Sequence, residues 1–167
     1  MILIIAASNG HNLDLARQLQ QQSTDMCFDS EILDLTKIEL PVYSPAKEAE
    51  GLPTAVEELR IKFRSASGFF ICAPEYNGLI PPVLNNAIAW LSVQGKDFRA
   101  LFNGKPVGLA THSGGGGQKV LTAMRIQMSH LGCNVIGREI LTNKNKSLNL
   151  KSSESILSQI TALCVSG

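Results

Sequence analysis

Short apolar runs alternate with amphipathic stretches along the whole of this 167-residue chain. A mostly apolar run predicts a β-strand, and apolar residues that recur at helical spacing predict a helix. The predicted strands cover residues 1–7, 30–35, 68–73, 105–111 and 134–141. The first predicted helix follows the polar turn at 8–12, and the others cover residues 54–65, 83–92, 118–131 and 153–165.

This alternation of strands and helices predicts an α/β fold. The run from Met1 to Ala7 is continuously apolar, which is typical of a strand buried on both faces of a parallel sheet. Five strands that alternate with helices predict a parallel sheet with right-handed crossovers. The mixed polarity of residues 30–35 predicts an edge strand. No repeat or linker divides the chain, so one domain is expected over residues 1–167.

Three local signals refine the predicted element boundaries. Asn12 stands where the first helix begins and is predicted to be its N-cap. Residues 36–53 contain prolines at 41, 45 and 53, which predict a long irregular connection. Gly132 is the predicted stop of the helix at 118–131.

Composition and charge restrict the class of protein. Apolar residues make up 44% of the chain and charged residues 17%, a balance typical of a folded domain rather than a disordered one. The formal net charge is +1 without a strongly basic segment, which argues against nucleic-acid binding. Lys144 and Lys146, near Arg138, form a small basic cluster that is interpreted as a solvated loop.

The cysteines and the first apolar run indicate a cellular location. The four cysteines show no C-x-x-C spacing, which disfavours a zinc site and suits a reducing compartment. The opening run has no basic leader and is too short to span a membrane. We therefore expect a cytoplasmic protein without a membrane partner.

Candidate chemistry lies after the first, third and fourth predicted strands. Ligands of open parallel sheets bind beyond the carboxyl ends of the strands, near the point where the strand order reverses. The first polar segment there comprises Ser8, Asn9, Gly10, His11, Asn12 and Leu13. Free backbone N–H groups at a helix N-terminus suit an anion, although an ordinary strand-to-helix turn uses similar residues.

The other two segments suit a flat ring. The second segment comprises Pro74, Glu75, Tyr76, Asn77 and Gly78. Tyr76 offers a ring face or a hydroxyl group to a heterocycle; the alternative is a rigid turn in which Glu75 caps nearby N–H groups. The third segment comprises His112, Ser113, Gly114, Gly115, Gly116 and Gly117. Its glycines let the backbone approach a ligand closely, and a flexible loop is the alternative.

Several other chemistries lack their sequence patterns. No G-x-G-x-x-G follows the first strand, which argues against a dinucleotide bound in the Rossmann manner. The glycine run at 114–117 is not a Walker A loop, because the G-x-x-x-x-G-K-[S/T] pattern is absent. The three histidines have no metal-ligand spacing, and there is no G-x-S-x-G elbow. Neither a metal site nor a hydrolase triad is expected, and no residue is assigned as a catalytic acid or base.

The second segment continues into a longer motif that runs from Pro74 to Ser92. This motif closely resembles the signature of the NADPH-dependent FMN reductases, roughly P-E-Y-N-x-x-x-P-x-x-L-K-N-A-I-D-W-x-S. The resemblance implies a flavodoxin-like, doubly wound sheet in the order 2-1-3-4-5. It also implies bound FMN, NADPH or NADH as electron donor, and flavins, quinones or similar small molecules as acceptors. A homodimer or homotetramer is implied, with the helix after the P-E-Y-N segment at the interface.

The resemblance also implies roles for individual residues. Ser8 and Asn12 would contact the FMN phosphate. Residues 74–77 would line the isoalloxazine and ribityl region, and residues 113–115 would pass along the ring.

Two departures from the family pattern affect these expectations. Residues 7–12 are shorter than the usual G-S-x-R-x-x-S-x-N and contain no arginine, which removes a charge-assisted contact to a phosphate. A protonated His11, or the backbone alone, is the alternative partner. Asn85 and Ala89 stand where the family has lysine and aspartate, which affects the interface more than the flavin site.

The expected function is therefore that of an NAD(P)H-dependent, FMN-containing oxidoreductase. One alternative is a flavodoxin-type electron carrier, but such carriers are often markedly acidic and this chain is near neutral. The other alternative, supported by the short loop at 7–12, is a flavodoxin-like scaffold with weakened or lost FMN binding.

Overall fold

A computed structural model of the protein describes residues 1–93 and 95–165. Its strands are β1 (Ile2–Ala6), β2 (Ser30–Asp34), β3 (Gly68–Cys72), β4 (Pro106–His112) and β5 (Asn134–Thr142). They form one sheet in the order β2-β1-β3-β4-β5, and every pairing is parallel. The predicted α/β class, strand direction and strand order are confirmed, and β2 lies at an edge as its mixed polarity indicated.

The structure has six α-helices among the described residues. They are α1 (His11–Asp25), α2 (Pro45–Ala49), α3 (Thr54–Ser65), α4 (Pro82–Ser92), α5 (Gln118–His130) and α6 (Leu150–Val165). All but α2 agree with the predicted pattern except near their ends. Helix α6 begins at Leu150 rather than at residue 153, because the Asn149 side chain accepts a hydrogen bond from the Ser152 N–H at 3.0 Å. No helix in the described part of the chain is long and apolar enough to cross a membrane.

The prediction that residues 36–53 are wholly irregular is wrong. A short 3₁₀ turn covers Leu35–Lys37, and α2 lies within the segment. The Ser44 hydroxyl accepts from the Lys47 N–H at 3.1 Å, and Pro45 occupies the first helical position. A hydroxyl N-cap followed by proline is a favourable helix start, and it stabilises even this short helix.

Alternate side chains of the central strands form two separate cores, one on each face of the sheet. Leu3 and Ile5 of β1 belong to the core under α3, α4 and α5. Ile2 and Ile4 belong to the core under α1 and α6. Both faces of β1 are thus covered by helices, which explains why its sequence is continuously apolar.

Helix α6 packs directly onto β4 at Gly108. A Cβ atom at this position would lie 2.7 Å from Ile156 Cγ2 and 3.2 Å from Phe70 Cδ2. Only glycine therefore allows the observed separation of helix and strand.

The carboxyl ends of β1, β3 and β4 lie level with one another. Ala6 is in register with Cys72, and Cys72 with Ala110. Just beyond β1, the Ala7 N–H donates to the Cys72 carbonyl at 2.9 Å, and the Ala73 N–H donates to the Ala110 carbonyl at 3.1 Å. The three polar segments that follow these strands therefore begin side by side at one edge of the sheet.

Candidate cofactor-binding site

The segment after β1 presents unpaired N–H groups at the start of α1. The backbone N–H groups of residues 8–12 have no hydrogen-bond acceptor among the described residues. Helix α1 follows directly and adds the partial positive charge of its N-terminus. A Cβ atom at Gly10 would meet no atom within 4 Å, so the space above this segment is open. The segment can accommodate an anionic group such as a phosphate.

Asn12 does not cap α1, which corrects the sequence prediction. The N-cap is Gly10, without a side-chain cap, and Asn12 lies inside the first turn. Its side-chain oxygen accepts from the His112 N–H at 2.8 Å, and its amide nitrogen donates to the His112 carbonyl at 3.0 Å. Asn12 is only 3% exposed, and its amide joins the segment after β1 to the end of β4.

Glu75 caps the first turn of α5, as one of the two interpretations of its sequence position predicts. Helix α5 begins after Gly117, which offers no side-chain cap. A carboxylate oxygen of Glu75 lies 3.4 Å from the backbone nitrogen of Val120 and accepts its N–H. Glu75 therefore links the segment after β3 to the first turn of α5, and its negative charge lies at the positive end of that helix.

The segment after β3 forms a two-residue turn that exposes its ends. Asn77 and Gly78 have φ angles of +52° and +79°, and the N–H groups of Tyr76 and Leu79 donate to each other's carbonyls at 3.1 and 3.0 Å. Left-handed backbone at both central residues is typical of a type I′ turn, for which Asn-Gly is the favoured sequence. Tyr76 is 51% exposed and Leu79 62%, so the tip presents an apolar surface that a flat ring can contact.

The segment after β4 combines open glycines with one that is tightly enclosed. Cβ atoms at Gly114 and Gly116 would meet nothing within 4 Å. Gly117 has a φ of +72°, and a Cβ atom there would lie 3.0 Å from Thr111 Cγ2. The Ser113 hydroxyl accepts from the Gly115 N–H at 3.2 Å and holds the turn. The open glycines leave room for a ligand to contact backbone, while Gly117 fixes the start of α5.

Sequence analysis missed Thr111 and Thr142, which lie at the ends of β4 and β5. The Thr111 hydroxyl is buried and has no hydrogen-bond partner among the described residues. This hydroxyl lies beneath the glycine segment, where a Cβ atom at Gly117 would lie 3.0 Å from Thr111 Cγ2. The only available signal was position, because both threonines stand next to segments that the sheet rule had already singled out.

Two histidines meet beside the start of α1. The ring centroids of His11 and His112 lie 4.4 Å apart. Nδ1 of His112 lies 3.1 Å from the Thr142 hydroxyl, which in turn lies 3.2 Å from the Thr111 carbonyl. Burial, and secondarily the charge of His11, lower the pKa of His112 below its usual value. A negative group bound here would favour the protonated rings.

Most of the predicted site residues lie at this edge, but not all face solvent. Leu13 is 7% exposed and belongs to the core under α1, and Pro74 is buried. These two side chains support the segments rather than line an accessible surface. The described residues contain no group of three His, Cys, Asp or Glu side chains placed to hold a metal ion.

The arrangement has the features that FMN requires of a protein. Unpaired N–H groups at a helix start suit its phosphate, and open glycines and an exposed tyrosine at the same edge of the sheet suit its flat ring. The chemistry of the donors therefore agrees with a flavin mononucleotide.

Comparisons with known proteins support this interpretation. Residues 1–146 match the sequence profile of the NADPH-dependent FMN reductases. A quinone reductase of Escherichia coli is 41% identical over 78 residues, which cover 46% of this chain and 40% of that protein. An NAD(P)H-dependent FMN reductase of Pseudomonas aeruginosa is 36% identical over 85 residues, covering 51% of this chain and 43% of that protein. Each alignment thus spans less than half of the relative's length.

The fold has close structural counterparts. An oxidoreductase from Corynebacterium diphtheriae superimposes with a TM-score of 0.80 over 99% of this chain and 97% of that one, at 14% sequence identity. At that identity the likeness supports the fold alone. The sequence profile covers most of the chain, including the P-E-Y-N segment and the glycine-rich segment. The chain belongs to the NADPH-dependent FMN reductase family.

Proposed function

We propose that this protein is an NAD(P)H-dependent FMN oxidoreductase that reduces flavins, quinones or similar small acceptors. The observation that carries the proposal is the convergence of three segments, after β1, β3 and β4, at one edge of a parallel sheet. Family membership and the names of the matched relatives point to the same activity. When bound, FMN supplies the electron-transfer chemistry, and the protein supplies binding and orientation.

Different residues of the site bind the phosphate and the ring of the cofactor. The N–H groups of residues 8–12 bind the phosphate at the start of α1. Tyr76 and the backbone of residues 114–116 would contact the ring. Asn12 and Glu75 hold the three segments in register. No side chain is assigned as an acid or base.

The assembly proposed is a homodimer or homotetramer that meets along α4. Two apolar grooves of about 580 and 490 Å³ flank this helix, and Asn85 and Ala89 line both of them. Exposed Val42 and Phe98 lie along the two grooves, one on each side of the helix. A second copy that covers this face would remove both grooves from water, and apolar burial favours association.

The remaining expectations form part of the same proposal. The chain forms a single FMN-binding domain over residues 1–167 and acts in the cytoplasm on small molecules, without nucleic-acid or membrane partners. The near-neutral formal charge of +1 supports the part that concerns nucleic acids.

Oxidation of NADPH tests the proposed activity. The full chain is incubated with FMN, desalted, and mixed with NADPH in the presence or absence of benzoquinone. We expect flavin-dependent loss of NADPH that accelerates when the quinone is added. Retained flavin without NADPH oxidation would instead indicate an electron carrier. Absence of flavin binding and of oxidation, even with FMN in excess, would indicate a scaffold.

A further inference from the structure

A polar cavity of about 280 Å³ adjoins the segment after β1. It lies between α1, the ends of β4 and β5, and the turn at residues 143–148. Its polar lining includes the side chains of His11, Gln18, His112, Asn143, Lys146 and Ser147. The space exceeds that of a single water molecule several times over, so it admits a polyatomic ion.

The cavity offers cations to a ligand. The ionisable side chains that line it are His11, Asp14, His112 and Lys146. Asp14 is already paired with Arg17 at 2.9 Å, so its negative charge is balanced locally. The segment from residue 7 to residue 12 contains no lysine or arginine. Lys146 therefore provides positive charge beside this segment, and the two histidines add to it when they are protonated.

The hydrogen bonds around His112 fix which ring nitrogen is free. The Thr142 hydroxyl has one proton, and it donates that proton to the Thr111 carbonyl at 3.2 Å. Nδ1 of His112, 3.1 Å from the same hydroxyl oxygen, must then be the donor of that contact. Nε2 is the nitrogen that gains a proton when the ring becomes charged, and it becomes a donor to an anion.

We propose that this cavity is a phosphate subsite, in which His11, His112 and Lys146 bind the phosphate monoester of a nucleotide held at the adjoining cofactor site. The identity of that nucleotide rests on the proposed function, because FMN and NADPH both carry this group. Two imidazoles 4.4 Å apart repel each other when both are protonated, and a bound dianion offsets that repulsion. Binding of the phosphate is therefore coupled to proton uptake by the histidines.

The coupling predicts a characteristic pH dependence. Burial lowers the pKa of His112, and this ring loses its charge as the pH rises, so affinity for the phosphate is expected to fall with rising pH. Ionisation of the ligand phosphate has the opposite effect on affinity, because its second pKa is about 6 and its negative charge increases as the pH rises. In a His11→Gln/His112→Gln variant, neutral polar side chains replace both imidazole rings. The pH dependence of its affinity for phosphate therefore reports the titration of the ligand alone.

The first experiment compares FMN with riboflavin, which lacks the phosphate. Dissociation constants are measured by flavin fluorescence for the wild type, His11→Gln and Lys146→Gln. Each variant is expected to weaken FMN binding about tenfold, the effect of one charge-assisted hydrogen bond, and to leave riboflavin binding unchanged. His130→Gln in α5 and Lys144→Gln on the same turn are matched controls, because neither side chain lines the cavity.

A second experiment determines whether the bound phosphate belongs to FMN or to NADPH. If the variants leave FMN binding unchanged but raise the KM for NADPH about tenfold and not that for NADH, the subsite takes the donor's 2′-phosphate. If flavin binds and neither ligand responds, the subsite is refuted while the proposed function stands.

A third measurement does not depend on flavin binding. Inorganic phosphate is added to the full chain while the imidazole signals are followed by NMR. Phosphate is expected to shift the imidazole signals of His11 and His112 and to leave those of His130 unchanged. If the signals of all three histidines stay in place, the subsite is refuted even for a protein that binds no flavin.

Discussion

The side-chain amide of Asn12 makes two hydrogen bonds to the backbone of His112, one to its N–H and one to its carbonyl. The two residues are 100 positions apart in the chain, so this contact joins the start of α1 to the end of β4. It places the two histidine rings and the first N–H groups of α1 at the same corner of the site.

Replacement of Asn12 tests this contact. Asn12→Ala leaves the His112 N–H and carbonyl without partners, which is expected to lower the free energy of unfolding by about 2 kcal/mol. FMN affinity should fall as well, because the segment after β1 is no longer held. Urea unfolding and flavin fluorescence measure the two effects. Asn145→Ala, on the exposed turn at 143–146, is the control and should change neither value.

The close packing of α6 on β4 makes Gly108 intolerant of a side chain. A Cβ atom there would lie 2.7 Å from Ile156 Cγ2, so Gly108→Ala should destabilise the protein by about 2 kcal/mol through overpacking. The control is Gly137→Ala in β5, where a Cβ atom would meet nothing within 4 Å. Equal unfolding midpoints for the two variants would contradict the packing described for Gly108.

A substitution at Gly114 can test ligand binding without a large change in stability, because the space around this residue is open. Gly114→Val introduces a side chain that contacts no protein atom near its Cβ, so the free energy of unfolding should stay within about 0.5 kcal/mol of the wild type. The added side chain occupies room proposed for the flavin, and FMN affinity should fall at least about tenfold. Gly137→Val is the matched control for affinity. Unchanged FMN binding in Gly114→Val would place the ring elsewhere.

The lowered pKa of His112 predicts reduced stability in acid. Burial and the charge of His11 keep the folded ring neutral at pH values where the unfolded chain, with a pKa of about 6.5, is already protonated. The unfolded state then binds more protons, so the free energy of unfolding falls as the pH drops below about 6.5. Urea unfolding from pH 7 to pH 5 measures this slope, which should be smaller in His112→Gln. An unchanged slope would contradict the assignment.

Local sequence patterns predicted the fold well because β1 and β3 are buried on both faces. Their continuous apolar runs leave few alternatives to a parallel sheet. The sheet rule then predicted which three segments would meet at one edge, because it depends only on which segments follow which strands. By contrast, α2 was missed because five residues are too few to establish a helical period.

The side-chain roles at the site were less predictable, because they depend on distant partners. Asn12 has the sequence position of an N-cap, yet its amide pairs with a strand end that local pattern cannot identify. Glu75 reaches α5 across 45 positions. The Thr111 hydroxyl has no sequence signal beyond its position at a strand end, because its lack of a partner is a property of the folded edge.

Anaerobic reduction of the bound flavin tests the central claim most directly. The full chain is loaded with FMN, freed of excess flavin, and titrated with NADPH while the visible spectrum is recorded. The account predicts that flavin bands are retained after desalting, bleach on addition of NADPH, and return when benzoquinone is added. Retained bands that NADPH does not bleach would contradict the proposed reductase activity, and failure to retain FMN would contradict the cofactor site itself.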